Sequence, residues 1–181
     1  RPSVVVAEGA GKLITWPQEE PTDRSTFTTT NRLRAITYGE GRFVAVGLDG
    51  PIVTSTNGYD WESLAVSAEG LTDVHFGNGV FLAQRASGLM RWTNGVDWTI
   101  EPEPTQVHST LHLARNYFVV ASKGTNFLST DGLNWIAASS GTTNNLYTIG
   151  YGRGTFVAVA IGNELLTSRD AITWEGRGKL E

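Results

Sequence analysis

The stretch STDGLNW at residues 129–135 recurs along the chain and decides the predicted fold. Related heptapeptides are STNGYDW at 55–61, WTNGVDW at 92–98 and SRDAITW at 168–174. The closing residues are 37, 37 and 39 positions apart: Trp61, Trp98, Trp135 and Trp174. A second series recurs after 38, 37 and 38 positions: Phe43, Phe81, Phe118 and Phe156. Two series with one period indicate a chain built from repeats of about 37 residues.

Each repeat has the pattern of four β-strands. LRAITYG at 33–39 is rich in β-branched and aromatic residues and stops at a glycine turn. FVAVG at 43–47 is an apolar run typical of a strand covered on both faces. Asn57-Gly58 then favours a tight turn into a last strand near Trp61. No longer window shows helical periodicity, so each repeat is predicted to be a four-stranded antiparallel meander.

Such a meander has two apolar faces, and radial stacking of copies covers both of them. The sequence therefore predicts an all-β protein, a β-propeller in one domain spanning 1–181. Four complete repeats are expected at 33–70, 71–107, 108–145 and 146–181. Residues 1–32 form a partial blade: SVVVAEGAGKLITW supplies its second and third strands, STFTTT its outer strand, and the innermost strand is missing. A five-bladed ring and a part of a larger propeller both remain open.

Composition excludes several classes of function. The net charge is -4 and the 14 Lys and Arg residues are scattered, so no nucleic-acid partner is expected. No apolar run approaches the ~18 residues of a membrane span, so no membrane insertion is expected. The absence of cysteine excludes disulfides, thiolate chemistry and Cys-ligated zinc. Because the chain begins with Arg1 rather than Met, we expect a processed or excised segment.

The heptapeptide pattern, Ser/Thr-x-Asp/Asn-Gly-x-x-Trp after a short apolar strand, resembles the Asp-box (BNR) repeat of sialidases, other glycosidases and sorting receptors. Together with GRFVAVG at 41–47 and LYTIGYGRG at 146–154, the repeat is most similar to those of the photosystem II assembly factor family and its bacterial relatives. The resemblance covers residues 33–174. It implies a propeller whose Asp boxes lie at the periphery, away from the ligand face. We expect an extracellular, periplasmic or lumenal location.

The boxes are predicted to be structural. The residues four positions before each closing Trp can accept backbone N–H bonds within their own hairpins: Asn57, Asn94, Asp131 and Asp170. The closing tryptophans can cover apolar surface between adjacent blades. Trp92 in place of the leading Ser and Ala171 in place of Gly should weaken individual turns. Because a whole blade separates successive boxes, no two of them could share a substrate.

A sialidase-like enzyme is the catalytic alternative. That family needs an arginine triad, a tyrosine nucleophile with a glutamate partner, and an acid–base aspartate, and only the N-terminal RPS faintly resembles its arginine-proline element. The inner-strand tyrosines Tyr38, Tyr147 and Tyr151 are expected mainly to pack against apolar neighbours. Glu101 and Glu103 are near neighbours in what is expected to be a solvated loop. The chain is therefore predicted not to be an enzyme and to need no cofactor.

A binding role remains for the face formed by the loops into each inner strand and between the second and third strands. These positions differ from repeat to repeat, and the ligand-binding candidates are Arg34, Asp49, Asp73, His75, Arg85, His112, Lys123 and Tyr147. His75 and His112 occupy one position in consecutive inner strands, which suits a shared proton or metal or, more simply, a polar channel lining. No metal site is predicted.

The predicted function is a non-enzymatic binding or scaffold module that recognises a protein or glycan through this loop face. The alternatives are a glycosidase- or sialidase-like fragment and an architectural segment of a larger surface protein. Self-association is expected if the propeller is incomplete.

Overall fold

A computed structural model describes residues 2–8, 12–17, 25–28, 32–49, 52–64, 70–85, 88–93, 97–102, 104 and 110–179, with side chains from residue 32 onward. All its regular elements are β-strands. Within these described ranges, no helix is long and apolar enough to cross a membrane.

The strands form five antiparallel sheets in chain order. Sheet 1 contains β1 (Pro2–Glu8), β2 (Lys12–Pro17) and β3 (Ser25–Thr28). Sheet 2 contains β4 (Leu33–Gly39), β5 (Arg42–Gly47), β6 (Val53–Ser55) and β7 (Glu62–Ser63). Sheet 3 contains β8 (Leu71–Gly77), β9 (Val80–Arg85), β10 (Gly88–Trp92) and β11 (Trp98–Glu101). Sheet 4 contains β12 (Thr110–Ala114), β13 (Tyr117–Ser122), β14 (Thr125–Ser129) and β15 (Ile136–Ser139). Sheet 5 contains β16 (Leu146–Gly152), β17 (Thr155–Ala160), β18 (Glu164–Ser168) and β19 (Glu175–Lys179).

Every sheet is a meander in which each strand pairs with the next strand along the chain. Sheets 2 to 5 have four strands, and sheet 1 has three. Four complete repeats and a partial first one are therefore confirmed within the described residues. The segment 18–24, where the sequence replaces the predicted hairpin of the first repeat, lies outside them.

The first hairpin of each complete sheet turns through the same backbone conformation. The turn residues with positive φ are Glu40 (46°), Asn78 (51°), Arg115 (57°) and Arg153 (50°). A left-handed residue is uncommon outside glycine, and its repetition follows from the tight turn that joins the first two strands. Three first strands also carry a register shift near their start, at residues 33–35, 71–73 and 146–148. Such a bulge reorients the side chain beside it, here Arg34, Thr72 or Tyr147.

The chain divides into two compact units, Arg1–Ile100 and Glu101–Glu181. In the first unit, apolar residues of sheets 2 and 3 form one core that includes Val44, Val46, Phe81 and Trp98. A second cluster, on the other face of sheet 2, contains Leu33, Ala45 and Val53, with Trp61 packed against it. In the second unit, the core lies between sheets 4 and 5 and includes Val119, Phe156, Leu166 and Trp174.

The closing tryptophans differ in burial. Trp98 and Trp174 are each 9% exposed and belong to the cores between neighbouring sheets. Trp61 and Trp135 are half-buried. The ring of Trp61 lies 6.2 Å from that of Phe43. Two of the four tryptophans are thus buried inter-sheet residues, and the other two retain exposed ring surface.

Candidate functional site

Three of the four recurring heptapeptides, those at 55–61, 129–135 and 168–174, form turns that are each built around one side-chain oxygen; we call the four heptapeptides boxes. In the third box, Oδ1 of Asp131 accepts hydrogen bonds from the backbone N–H of Leu133 and Asn134, both at 2.8 Å. The hydroxyl of Ser129 donates to the same oxygen and accepts from the N–H of Gly132. The N–H of Asp131 also donates to the Ser129 hydroxyl, so the two side chains bind four backbone N–H groups of the turn.

The first and last boxes repeat this arrangement. Oδ1 of Asn57 accepts from the N–H of Tyr59 and Asp60, at 2.8 and 2.9 Å. Oδ1 of Asp170 accepts from the N–H of Ile172 and Thr173, both at 2.8 Å. An amide oxygen and a carboxylate oxygen are therefore interchangeable in this role. Asn94, the corresponding residue of the second box, lies outside the described residues.

These contacts keep the box carboxylates ionised. The N–H groups of Thr173 and Ile172, with the Ser168 hydroxyl, lower the pKa of Asp170 to about 2. The N–H groups of Asn134 and Leu133 likewise hold the pKa of Asp131 well below its usual range. A carboxyl group that must protonate a leaving group needs a raised pKa. The boxes therefore have the electrostatics of turn acceptors.

The three described boxes also each contain one residue with positive φ. Gly58 and Gly132 adopt φ values of 81° and 74° at this position. Ala171 adopts φ 64° in the last box, where its Cβ makes that conformation costly. The hairpin is kept in place by the Asp170 bonds and by Trp174, whose Nε1 donates to the carbonyl of Ala171 at 2.9 Å. The weakening of this turn by Ala171 stays a prediction, and the positive φ gives the physical reason for it.

The predicted ligand face corresponds to one end of each sheet, where the first strand begins and the second strand turns into the third. We call this the loop end. The strand register places these segments side by side, pairing Leu33 with Gly47, Leu71 with Arg85, and Leu146 with Ala160. Arg34 and Asp49 therefore share the loop end of sheet 2, and Asp73 and Arg85 share that of sheet 3. His75 and His112 lie farther along their strands, paired with Leu82 and Val119.

In the first unit, most of the ligand-binding candidates form hydrogen bonds or ion pairs with neighbouring residues. Asp49 is exposed and forms a bidentate ion pair with Arg32, in which Nη2 lies 2.8 Å from Oδ1 and Nε also contacts Oδ2. The Arg32 guanidinium lowers the pKa of Asp49. Asp73 accepts from the N–H of Val74, and Nε2 of His75 lies 3.4 Å from its other oxygen. Arg34 is exposed and Arg85 is half-buried. Sequence reasoning missed Arg32, which precedes the first strand.

In the second unit, Lys123 and Tyr147 are exposed at the loop end, and Tyr147 is 64% exposed. Ile161, which sequence reasoning did not single out, is also exposed there. It lies opposite Asn145, because its N–H donates to that carbonyl at 2.9 Å. The bulge before Thr148 explains the outward orientation of Tyr147. An aromatic residue of β16 and an aliphatic residue directly after β17 thus lie exposed at this end of sheet 5.

The segment 140–145 beside these residues is fixed by polar contacts. The Ser140 hydroxyl donates to the carbonyl of Thr142 at 2.8 Å. The Thr142 hydroxyl and the Asn144 amide both donate to the carboxylate of Glu164. These two donors, Thr142 first, lower the pKa of Glu164. The loop end of sheet 5 therefore combines exposed apolar groups with an ordered, negatively charged edge.

The inner-strand tyrosines do not pack as expected. Tyr38 is 56% exposed and Tyr151 is 38% exposed, although each contacts the phenylalanine opposite it on the neighbouring strand. The expectation of apolar packing is wrong for Tyr147 and only half right for the other two.

The two histidines have local partners. His112 Nε2 lies 3.0 Å from the Thr110 hydroxyl, and His75 contacts Asp73 as described. Among the residues that the structure describes, no group of three His, Cys, Asp or Glu side chains could hold a metal ion. Each histidine therefore serves as a polar neighbour on its own strand, and the shared site remains a prediction.

Two open cavities lie on the second unit. One, of about 310 Å³, is lined by Thr167, Asp170, Glu175 and Arg177 among others. Glu175 is ion-paired with Arg177 at 2.7 Å. The other, of about 360 Å³, is lined by Phe127, Leu133, Trp135, Pro102 and Pro104, with Glu101. The first cavity contains two carboxylates. The pKa of Asp170 is lowered, and Glu175 is exposed to solvent and ion-paired with Arg177.

Solved structures establish the fold class. No protein-family model matches the sequence, and no curated protein is significantly similar to it. The chain is similar to YCF48 from Cyanidioschyzon merolae, with a TM-score of 0.70 and 14% identity over 95% of this chain and 68% of that one. A structure of YCF48 bound to D1 peptide gives a TM-score of 0.67 and 14% identity, covering 94% and 61%.

The comparison with the WD40 β-propeller domain of Doa1 has a TM-score of 0.72 and 14% identity, over 98% of this chain and 64% of that one. The comparison with virginiamycin B lyase from Staphylococcus aureus has a TM-score of 0.77 and 13% identity, over 95% of this chain and 64% of that one. The fold is thus that of a β-propeller, and the chain spans about two thirds of the length of these structures. Because their set includes a lyase as well as WD40 and YCF48 proteins, the fold by itself leaves the activity open.

Proposed function

We propose that the chain is a non-enzymatic binding module that recognises a protein ligand through the loop end of its sheets. The observation that carries the proposal is the exposure of Tyr147, and of Ile161 at the same end of sheet 5, where the fold buries neither side chain. Exposed aromatic and aliphatic groups framed by polar residues are typical of protein-binding surfaces.

The surroundings of Tyr147 favour recognition by a preformed surface. The segment 140–145 is held by Ser140 and by the Glu164 carboxylate, so little loop ordering has to accompany binding. The Glu164 carboxylate, which binds Thr142 and Asn144, supplies polar groups at this end of sheet 5, and Lys123 is exposed at the loop end of sheet 4. This arrangement of apolar anchors within a polar rim matches the usual composition of an interface.

A protein ligand is preferred to a glycan for two reasons. YCF48, a propeller of similar fold, has been solved with a bound D1 peptide. In addition, Ile161 offers an aliphatic contact that suits an apolar side chain better than a sugar hydroxyl. A glycan ligand remains the alternative within the same function, and the extracellular, periplasmic or lumenal location belongs to the same proposal.

The test is to select linear peptides from a random library on the immobilised chain and to measure their affinity by titration calorimetry. Tyr147→Ala should weaken the selected peptides by about tenfold or more, the usual effect of losing an aromatic anchor. The matched control is Ile136→Ala, which removes another exposed apolar side chain from the outer strand of sheet 4. Equal affinity for Tyr147→Ala and the unmodified chain would refute the loop-end site. Binding on a glycan array without peptide binding would select the glycan alternative.

The glycosidase alternative has less support. Glycoside hydrolysis uses two carboxyl groups, one of which needs a raised pKa to act as an acid. In the cavity that contains Asp170 and Glu175, the pKa of Asp170 is instead lowered to about 2. Turnover of fluorogenic glycosides that Asp170→Asn abolishes would favour the enzyme over the binding module.

A further inference from the structure

An open cleft of about 360 Å³ lies beside the box turn of sheet 4, within the second unit. Its walls include two aromatic rings, a leucine, two prolines and a carboxylate: Phe127, Trp135, Leu133, Pro102, Pro104 and Glu101. We call it the Trp135 cleft. Because β14 begins near the loop end at Thr125 and reaches the box at Ser129, the cleft lies at the opposite end of sheet 4 from the loop end.

Apolar side chains remain accessible in this cleft. Leu133 is 47% exposed, and Phe127 and Trp135 are half-buried. Phe127 pairs with Ala137 across β14 and β15, so both side chains lie on one face of sheet 4. The next residue of β14, Leu128, belongs instead to the core shared with sheet 5. The wall is therefore built on two paired strands and is formed before a ligand binds.

The indole of Trp135 differs from those of two other box tryptophans. Trp61 donates its Nε1–H to the carbonyl of Gly58 at 3.0 Å. Trp174 donates its Nε1–H to the carbonyl of Ala171 at 2.9 Å. Within the part of the chain that the structure describes, Trp135 makes no such bond. Its N–H, which can only donate, is therefore available to a ligand in the cleft.

Other donors in the wall are already engaged. The N–H of Gly132 donates to the Ser129 hydroxyl, and the N–H of Leu133 donates to Asp131, both at 2.8 Å. The two prolines have no N–H. The wall thus combines a wide apolar surface with the indole N–H of Trp135. A matching ligand needs an acceptor and few donors of its own, because a donor buried without an acceptor weakens binding.

A proline-rich segment has this chemistry. Proline lacks an N–H, and the carbonyls of a polyproline II helix make no internal hydrogen bonds, so they can accept from an indole. Aromatic-lined grooves are a general way of binding such segments. A sugar matches less well, because each of its hydroxyl groups is a donor that needs an acceptor. The described lining contains one charged side chain, the Glu101 carboxylate, which favours a basic residue in the ligand.

We propose that the Trp135 cleft binds a proline-rich segment of a partner protein in the polyproline II conformation, with an arginine or lysine next to the prolines. The proline rings pack on Trp135, Phe127 and Leu133, and a carbonyl of the segment accepts from Nε1 of Trp135. The basic residue lies toward Glu101. This site is additional to the loop end and does not depend on the function proposed for it.

The experiment is a titration of the ¹⁵N-labelled chain with an acetylated and amidated peptide of two arginines followed by six prolines, about two turns of the helix. The readout is the tryptophan Nε1–H signals in ¹H–¹⁵N correlation spectra, where the signal missing from Trp135→Phe belongs to Trp135. We expect this signal to shift saturably. The signals of Trp61 and Trp174 should not follow, because both groups are bound within their own boxes. A peptide with alanines in place of the prolines should bind at least about tenfold more weakly.

Substitutions in the wall are compared by fluorescence anisotropy of the labelled peptide. Trp135→Ala should weaken binding at least about tenfold, and Trp135→Phe, which keeps a ring but removes the donor, about threefold. Leu133→Ala should also weaken binding about threefold. Ile172→Ala is its matched control, because Ile172 occupies the same position in the last box and is 49% exposed. Glu101→Gln should weaken binding about two- to fivefold at low salt.

The proposal would be overturned by a Trp135 signal that does not move up to about 1 mM peptide, or by equal binding of the proline and alanine peptides. Equal losses for Leu133→Ala and Ile172→Ala would also overturn it. A shift caused by maltohexaose and not by the peptide would replace the proline-rich ligand with a glycan. Well-dispersed spectra check that each variant is folded. All these variants retain Tyr147 and Ile161, so binding at the loop end is measured independently.

Discussion

Gly39 and Phe76 touch across two neighbouring sheets: a Cβ built on Gly39 would lie 2.0 Å from Cγ of the Phe76 ring. The contact joins the end of β4 to the first strand of sheet 3. Hydrogen is thus the largest group that position 39 accommodates while the ring remains in place. The glycine that ends LRAITYG has a packing role as well as a place next to the turn.

Gly39→Ala should therefore destabilise the chain by about 1–3 kcal/mol, the usual cost of overpacking, because the ring or the strand must move. Gly152→Ala is the matched control at the equivalent position of sheet 5, where nothing lies within 4 Å of the added Cβ. We expect its free energy of unfolding in urea to change by less than about 0.5 kcal/mol. Similar losses for both variants would show that strand conformation, and not contact with Phe76, sets the requirement for glycine.

Asp131 provides a prediction about acid stability. Its pKa is lowered by the N–H groups of Asn134 and Leu133, so the unfolded chain binds a proton at higher pH than the folded chain. The stabilisation is complete above the ordinary pKa of 3.8 and is lost as the pH falls below it. Asp131→Asn keeps the accepting oxygen, as Asn57 does in the first box. It should unfold with a weaker dependence on pH below about pH 4.

Asp131→Ala is the contrasting variant, because it removes the acceptor and leaves turn N–H groups without it. We expect a loss of about 1–3 kcal/mol at neutral pH, measured by urea unfolding, and a much smaller loss for Asp131→Asn. Equal losses for the two variants would show that the charge of Asp131, rather than its oxygen atom, stabilises the turn.

The sequence was sufficient to predict the sheets because the repeat makes each local signal visible several times. STDGLNW taken alone could belong to a metal loop, but its recurrence with Phe118 and its equivalents identified a hairpin. The face of each residue also follows from strand alternation. The exposure of Tyr147 could not be predicted, because it depends on a bulge that carries no clear sequence signal. Nor could that of Val157, because residues with the same pattern in sheets 2 and 4 are buried by a following sheet.

The tryptophans that close the boxes should differ in how much they contribute to the free energy of unfolding. Trp174 is 9% exposed in the core between sheets 4 and 5, so Trp174→Ala should cost about 3–5 kcal/mol in the free energy of unfolding. Trp135 is half-buried against an open cavity with Pro102 and Pro104, so Trp135→Ala should cost about 1–3 kcal/mol. Urea unfolding of both variants tests the ranking. A larger loss for Trp135 would mean that its ring is more deeply packed in solution.

Asn126 is a polar residue at an apolar position of the repeat. It is fully buried, and within the described part of the chain neither its amide nitrogen nor its amide oxygen has a hydrogen-bond partner. Ile52 and Leu89 occupy the corresponding positions of sheets 2 and 3. Because a buried polar group without a partner costs about 1–3 kcal/mol, Asn126→Leu should stabilise the chain by an amount of that order. The measurement is the free energy of unfolding in urea, with Ile136→Leu as an exposed control. A loss of stability in Asn126→Leu alone would indicate that the amide has a partner in solution or that the site has no room for the larger side chain.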